Sequence, residues 1–186
     1  MHNTDFFTQL ILDAGAQRAA MLPVEQICFD LSFRSLCEQN SCGLYGKCHM
    51  CPPDVGEADA LVARAQTYSA GILYQNVYPL EDSFDFEGMM DARHDHSRCA
   101  QAIHDRLLAL KTDGLLHLAA GGCGVCQRCT KLDDQPCRLP ERALPSLEAY
   151  CVDVSRTAAN AGLKYVNGPN TVTYFGLLLI GENAHA

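Results

Sequence analysis

Eleven of the 186 residues are cysteine, and eight of them fall in two short stretches. "GGCGVCQRCTKLDDQPC" places Cys123, Cys126 and Cys129 at strict three-residue intervals and follows them with Cys137, a C-x2-C-x2-C-x7-C pattern. "CEQNSCGLYGKCHMCPP" carries Cys37, Cys42, Cys48 and Cys51, a C-x4-C-x5-C-x2-C pattern. A disulfide framework fits this usage poorly. The count is odd, the chain is long enough to build a core without staples, and "MHNTDFFTQLILDAGAQ" has Asp5 where a secretory leader carries basic residues. Clustered thiols in a reducing compartment point to metal or catalysis, so the sequence predicts a cytoplasmic metal protein.

The spacing narrows the metal. Two cysteines separated by two residues suffice for one half of a zinc site. Three at equal intervals wrap three corners of an iron–sulfur cube, as in bacterial ferredoxin loops. Gly121, Gly122 and Gly124 let the backbone approach a bulky inorganic core and leave amides free for its sulfides. Cys51-Pro52 matches the Cys-Pro ending by which ferredoxins reach a remote cluster. Two partitions therefore stand: each group holds its own cube, or the groups cross, with Cys51 completing the Cys123 triplet and Cys137 the other site.

The remaining composition describes one globular domain spanning residues 1–186. Apolar residues make up 48 %, and no 20-residue apolar run suggests a membrane span. The formal charge of -8 and the lack of a basic stripe exclude a nucleic-acid footprint and suit a redox partner with a basic docking patch. Periodicity predicts helices over 6–17, 57–68, 92–111 and 146–161, the last capped by Ser146, and strands over 25–33, 71–78, 115–120, 164–167 and 171–180. The expected fold class is α/β: a central mixed sheet with packed helices and two cysteine-rich, cluster-binding loops leaving different strands.

Cys99 and Cys151 fall on apolar helix faces and read as core, as does Cys28. His94, His96 and His104 read as a solvated helix face, and His117 as a core histidine with its hydrogen bonds met. His49 lies between two ligand candidates. Lys47 and Arg138 neighbour thiolates, where a cation raises a cluster's potential. Glu148 suits the first turn of the helix expected after Ser146.

The two motifs together, "C-x4-C-x2-YGK-x3-CPP" and "CG-x-C-x2-C-x7-C-R-x-P…PS-x-EA", resemble a prokaryotic family of predicted metal-binding, cysteine-rich proteins of anaerobes. The resemblance runs from Cys37 to Ile180. It covers Cys37, Cys42, Tyr45, Gly46, Lys47, Cys51, Pro52 and Pro53, then Cys123, Cys126, Cys129, Cys137, Arg138, Pro140, Ser146, Glu148 and Ala149. It implies metal binding, with iron–sulfur chemistry expected, in an anaerobic metabolism. Cys48 is not a dependable part of that pattern. Without it, three thiolates serve the first site and one corner is left to water, His49 or substrate.

Three functions follow. The leading expectation is electron transfer through two 4Fe–4S clusters, bound by Cys37, Cys42, Cys48 and Cys51 and by Cys123, Cys126, Cys129 and Cys137. The first alternative is a redox enzyme with one relay cluster and one open-cornered cluster for a small substrate. The second is a structural zinc-thiolate interaction module.

Overall fold

The computed structural model describes residues 3–184. A four-stranded sheet has the order β1-β2-β4-β3, with β1 Arg18–Pro23, β2 Ala70–Pro79, β3 Leu115–Leu118 and β4 Thr171–Ile180. All three ladders are antiparallel, which corrects the expected mixed sheet. The one parallel contact is an isolated bridge between Ala119 and Ser146, outside the named strands.

Alternation sorts the sheet into two apolar faces. Leu22, Leu73, Phe175, Leu177 and Leu179 pack against Leu61 and Ala65 of α3 (Ala58–Gln66), Ala158 of α5 (Val154–Asn160) and Tyr150. Ile72, Tyr74, Leu178 and Ile180 face Phe7 and Ile11 of α1 (Asn3–Asp13) and Ile103 and Leu107 of α4 (Phe86–Leu110). A short α2 (Arg34–Glu38) opens the first cysteine loop. Asp85 caps α4 by accepting the Gly88 amide, and Lys111, in the left-handed conformation, ends it before Gly114. None of the described helices is long and apolar enough to cross a membrane.

Three expected elements take other forms, and local hydrogen bonds explain each. Residues 25–33 form no strand: the Asp30 carboxylate accepts the Ser32 amide at 3.0 Å and folds the chain into a 3-10 turn. Only Phe29 pairs, with Val152. After Ser146, the hydroxyl does accept the Ala149 amide at 3.0 Å, but Cys151 turns left-handed at φ 54° and ends the turn at once. The Asp153 carboxylate then caps a separate α5 by accepting the Arg156 amide. At 164–167 the Asn167 amide donates to the Lys164 carbonyl and the Thr173 hydroxyl, holding a loop beside β4 instead of a strand.

Two histidines read differently once packed. His96, expected on a wet face, is buried, and its Nε2–H donates to the Phe175 carbonyl at 3.1 Å. That carbonyl lies beyond the end of β3, which pairs with β4 only from Leu177 onward, so a side chain takes the place of a strand partner. His117 is buried as expected, with Nε2 2.8 Å from the Tyr74 hydroxyl, but its Nδ1 has no partner. Cys99 and Cys151 are packed as expected, Cys99 partly and Cys151 wholly buried.

Gly176 makes the Tyr74–His117 contact geometrically feasible. Gly176 sits opposite Tyr74 in the β2–β4 register, and the tyrosine ring lies across it toward β3. A methyl group there overlaps the ring carbon and the hydroxyl of a fully buried, hydrogen-bonded side chain that cannot swing away. Gly176→Ala is expected to cost about 3 kcal/mol of stability, read from urea unfolding. A loss below about 1 kcal/mol would show that Tyr74 is free to move.

Candidate metal centre

Two loops more than seventy residues apart in sequence meet beside the β3 end of the sheet. The second leaves β3 and is clamped at once: the Ala119 amide donates to the Pro145 carbonyl, and the Leu147 amide to the Ala119 carbonyl, both at 2.9 Å. Gly121 follows at φ +67°, its amide donating to Glu148 Oε2 at 3.3 Å. Glu148 is thus an exposed anchor of the cysteine loop instead of the helix-dipole partner expected. The first loop folds back through the Gly46 amide, which donates to the Pro52 carbonyl at 2.8 Å.

Side chains tie the loops together. Lys131 pairs with Asp54 at 2.6 Å, both largely shielded. His49 Nε2 lies 3.0 Å from the Gln135 carbonyl and 3.5 Å from Thr130 Oγ1. Since a carbonyl only accepts, that nitrogen carries the proton and is already committed. His49 therefore ties the loops together; it lines the 250 Å³ cavity beside Cys48 and not the cavity of Cys37, Cys42 and Cys51.

The thiols line two cavities. Cys123, Cys126, Cys129 and Cys137 surround one of about 250 Å³, and Cys48 lines it with them. Cys37, Cys42 and Cys51 line another of about 290 Å³, together with Tyr45, Arg93 and Glu148. Cys137 lines the cavity of the triplet and Cys51 that of Cys37 and Cys42, while Cys48 lines the cavity of the second group. Gly122 sits at the seam, where a Cβ would overlap Leu44 and stand 3.4 Å from Cys51 Sγ.

Cys48 and Cys51 bring the two cavities side by side, the Cys51 amide donating to the Cys48 carbonyl at 3.0 Å. The neighbouring Cys51 thiol is the largest influence holding Cys48 well below an ordinary thiol, despite burial; the Met50 and Cys123 amides and the Cys129 thiol add to it. The same closeness, with burial and the neighbouring sulfurs, pushes Cys51 up. Burial raises Cys37 and Cys123 as well, opposed by Arg34 at the first and by the Val125 and Leu144 amides at the second. Cys48 is thus favoured as a thiolate, whereas Cys37, Cys51 and Cys123 are held as thiols unless a neighbouring positive charge, such as a bound metal, lowers them.

Among the described residues, no three of His, Cys, Asp or Glu are drawn together tightly enough to hold a single metal ion. The thiols ring the two cavities instead of converging on one point. As a donor set they are all soft sulfur, and no carboxylate lines the 250 Å³ cavity. This chemistry fits iron–sulfur clusters and zinc and disfavours magnesium or calcium. Lys47 also lines the 250 Å³ cavity, while Arg138 donates to the Arg128 carbonyl at 2.7 Å at its rim. Arg93 lay outside the motifs, yet a sequence signal existed: Met89, Met90, His96 and Ser97 occupy its helical neighbour positions, so no acid is placed to pair with it.

An α/β domain whose two cysteine-rich loops line cavities side by side defines a class, the cysteine-rich metal-binding proteins. The family model described as "Predicted metal-binding protein (DUF2284)" matches residues 20–180, and the chain belongs to that family. No curated protein matches it, and no solved structure does.

Proposed function

We propose that the chain is an iron–sulfur redox protein with two 4Fe–4S sites of different character. Cys123, Cys126, Cys129 and Cys137 supply four thiolates to a closed site. Cys37, Cys42 and Cys51 supply three to a second site, whose fourth corner is not a protein thiolate. The observation that carries this reading is the position of Cys48, which lines the cavity of the second cysteine group and not that of its own. Such clusters carry single electrons, and an iron without a thiolate accepts an oxygen or nitrogen ligand as a Lewis acid.

The residues divide the remaining work. The closed site lies beside Lys47, whose charge offsets that of a thiolate-bound cluster. The three-thiol cavity is walled by Phe33, Leu36, Leu44 and Pro52, which limit water around its open corner. Adjacency of the two cavities at Cys48 and Cys51 gives electrons a short path from one site to the other. The open cavity is the catalytic end and the closed site the relay.

A second reading, pure electron transfer with Cys48 as the fourth ligand of the first site, is favoured by the closeness of Cys48 to Cys51, each the largest influence on the other thiol. Both readings predict brown protein after anaerobic purification, with about eight irons and as many sulfides. Colourless protein with stoichiometric zinc and no sulfide would establish the zinc-thiolate module instead.

A further inference from the structure

We infer that Arg93 makes the Cys37, Cys42 and Cys51 cavity a binding site for a small monocarboxylate; this deepens the reading of that cavity as an open-cornered site and rests on it. Arg93 projects from α4 between two spaces. One is the 290 Å³ three-thiol cavity, and the other is a trough of about 670 Å³ running along α4 to the Gly121–Gly124 segment. Its guanidinium lies against Gly121, with one nitrogen 3.3 Å from where a Cβ would stand. Any side chain at Gly121 would crowd that group, and the left-handed backbone there favours glycine independently.

Three arginines line the trough, and two are already neutralised. Arg98 pairs with Asp95, and Arg142 forms a two-pronged pair with Asp105 at 3.0 and 3.1 Å. The Arg93 guanidinium makes no ion pair or hydrogen bond among the described residues. In a chain with 22 acidic against 14 basic residues, a partly buried cation that forms no ion pair among the described residues is suited to an anionic ligand. It stands at the boundary of the cavity where the fourth corner is open.

The surroundings restrict that anion. Glu148 lines the same cavity, its carboxylate accepting the Gly121 amide, and repels a second negative charge. The cavity of about 290 Å³ has to hold the cluster as well, so the space left at the open corner suits a ligand of only a few heavy atoms. Apolar walls accept a short carbon skeleton, and Tyr45 offers a neutral hydroxyl. The ligand class is a short monocarboxylate with a neutral oxygen or sulfur donor next to the carboxylate. Arg93 takes the carboxylate bidentately, and the donor faces the thiols.

The test uses anaerobically prepared full-length protein whose iron, sulfide and zinc have been counted. Acetate, glycolate and pyruvate are titrated calorimetrically, with glycolamide as the neutral control, and the reduced protein is followed by electron paramagnetic resonance. Glycolate is expected to bind at one site and to shift the signal of one cluster, with glycolamide at least about tenfold weaker. Arg93→Ala should lose at least about tenfold in glycolate affinity at unchanged iron content, with Arg93→Gln as the second variant if alanine perturbs folding. Equal binding by wild type and Arg93→Gln, or no binding of any of the three acids, overturns the inference. Full iron with no Arg93-dependent binding leaves the cluster reading standing and removes the carboxylate site. Arg93-dependent binding to a protein that holds only zinc does the reverse.

Discussion

Cys37→Ala is expected to remove about half of the iron and sulfide, while Cys48→Ala leaves both counts at the wild-type level. The difference follows from how many sulfurs each cavity can spare. Three thiols line the Cys37 cavity, and two cannot hold a cube. Five line the other, one more than a cube requires, so removal of Cys48 leaves Cys123, Cys126, Cys129 and Cys137 intact. The same surplus predicts that Cys137→Ala is milder than Cys37→Ala, because Cys48 stands ready at the vacated corner. If Cys48→Ala instead loses half the iron, Cys48 is the fourth ligand of the first site, and the protein is an electron carrier without an open corner. Anaerobic iron and sulfide counts on the three variants decide between these outcomes, and near-ultraviolet circular dichroism guards against misfolding.

The second large effect is a loss of stability in acid, centred on the buried face under α4. Burial is the main cause that pushes His96 down to about 4 and His117 to about 3, with His104 and His96 adding to the second. In the unfolded chain both titrate near 6.5, so below that pH the unfolded state binds protons that the folded state refuses. Their contribution is complete above pH about 6.5 and is lost as pH falls toward 4 for His96 and 3 for His117. Between pH 6.5 and 5 each histidine costs about 2 kcal/mol at 1.36 kcal/mol per pH unit. Urea midpoints at pH 7 and pH 5 should therefore differ strongly in the wild type and much less in a His96→Gln, His117→Gln double variant. If the double variant keeps the full pH dependence, thiolate protonation is the cause instead. Imidazole proton shifts give an independent check: those of His96 and His117 should stay constant down to pH 5.

Long periodic segments were legible in advance. α3, β2, β3 and β4 fall close to where alternation or helical spacing places them, and α4 ends where expected but starts at Phe86 instead of residue 92, under its Asp85 cap. Short segments were not. Residues 25–33 alternate like a strand, yet Asp30 binds the amide two residues on and bends the chain. β1 was missed, since "RAAMLP" carries little apolar pattern of its own and is held by the ladder to β2. A ladder partner is a property of the fold, invisible in a six-residue window.

The candidate site divides the same way. The candidate thiols and their two clusters along the chain were legible in the sequence, but which cavity each sulfur lines was not: the five-residue spacing pairs Cys48 with Cys42, and the fold separates them. Metal binding was the expectation from this spacing, and membership in a family of predicted metal-binding proteins agrees with it. Only the tertiary structure decided that Cys48 lines the cavity of the other group, that His49 spends its nitrogen on Gln135, and that Arg93 lines the three-thiol cavity with no ion pair or hydrogen bond among the described residues. Each of those facts depends on which loops the sheet and α4 bring side by side. Contacts between residues this far apart in the chain are set by packing, and no spacing along the sequence encodes them.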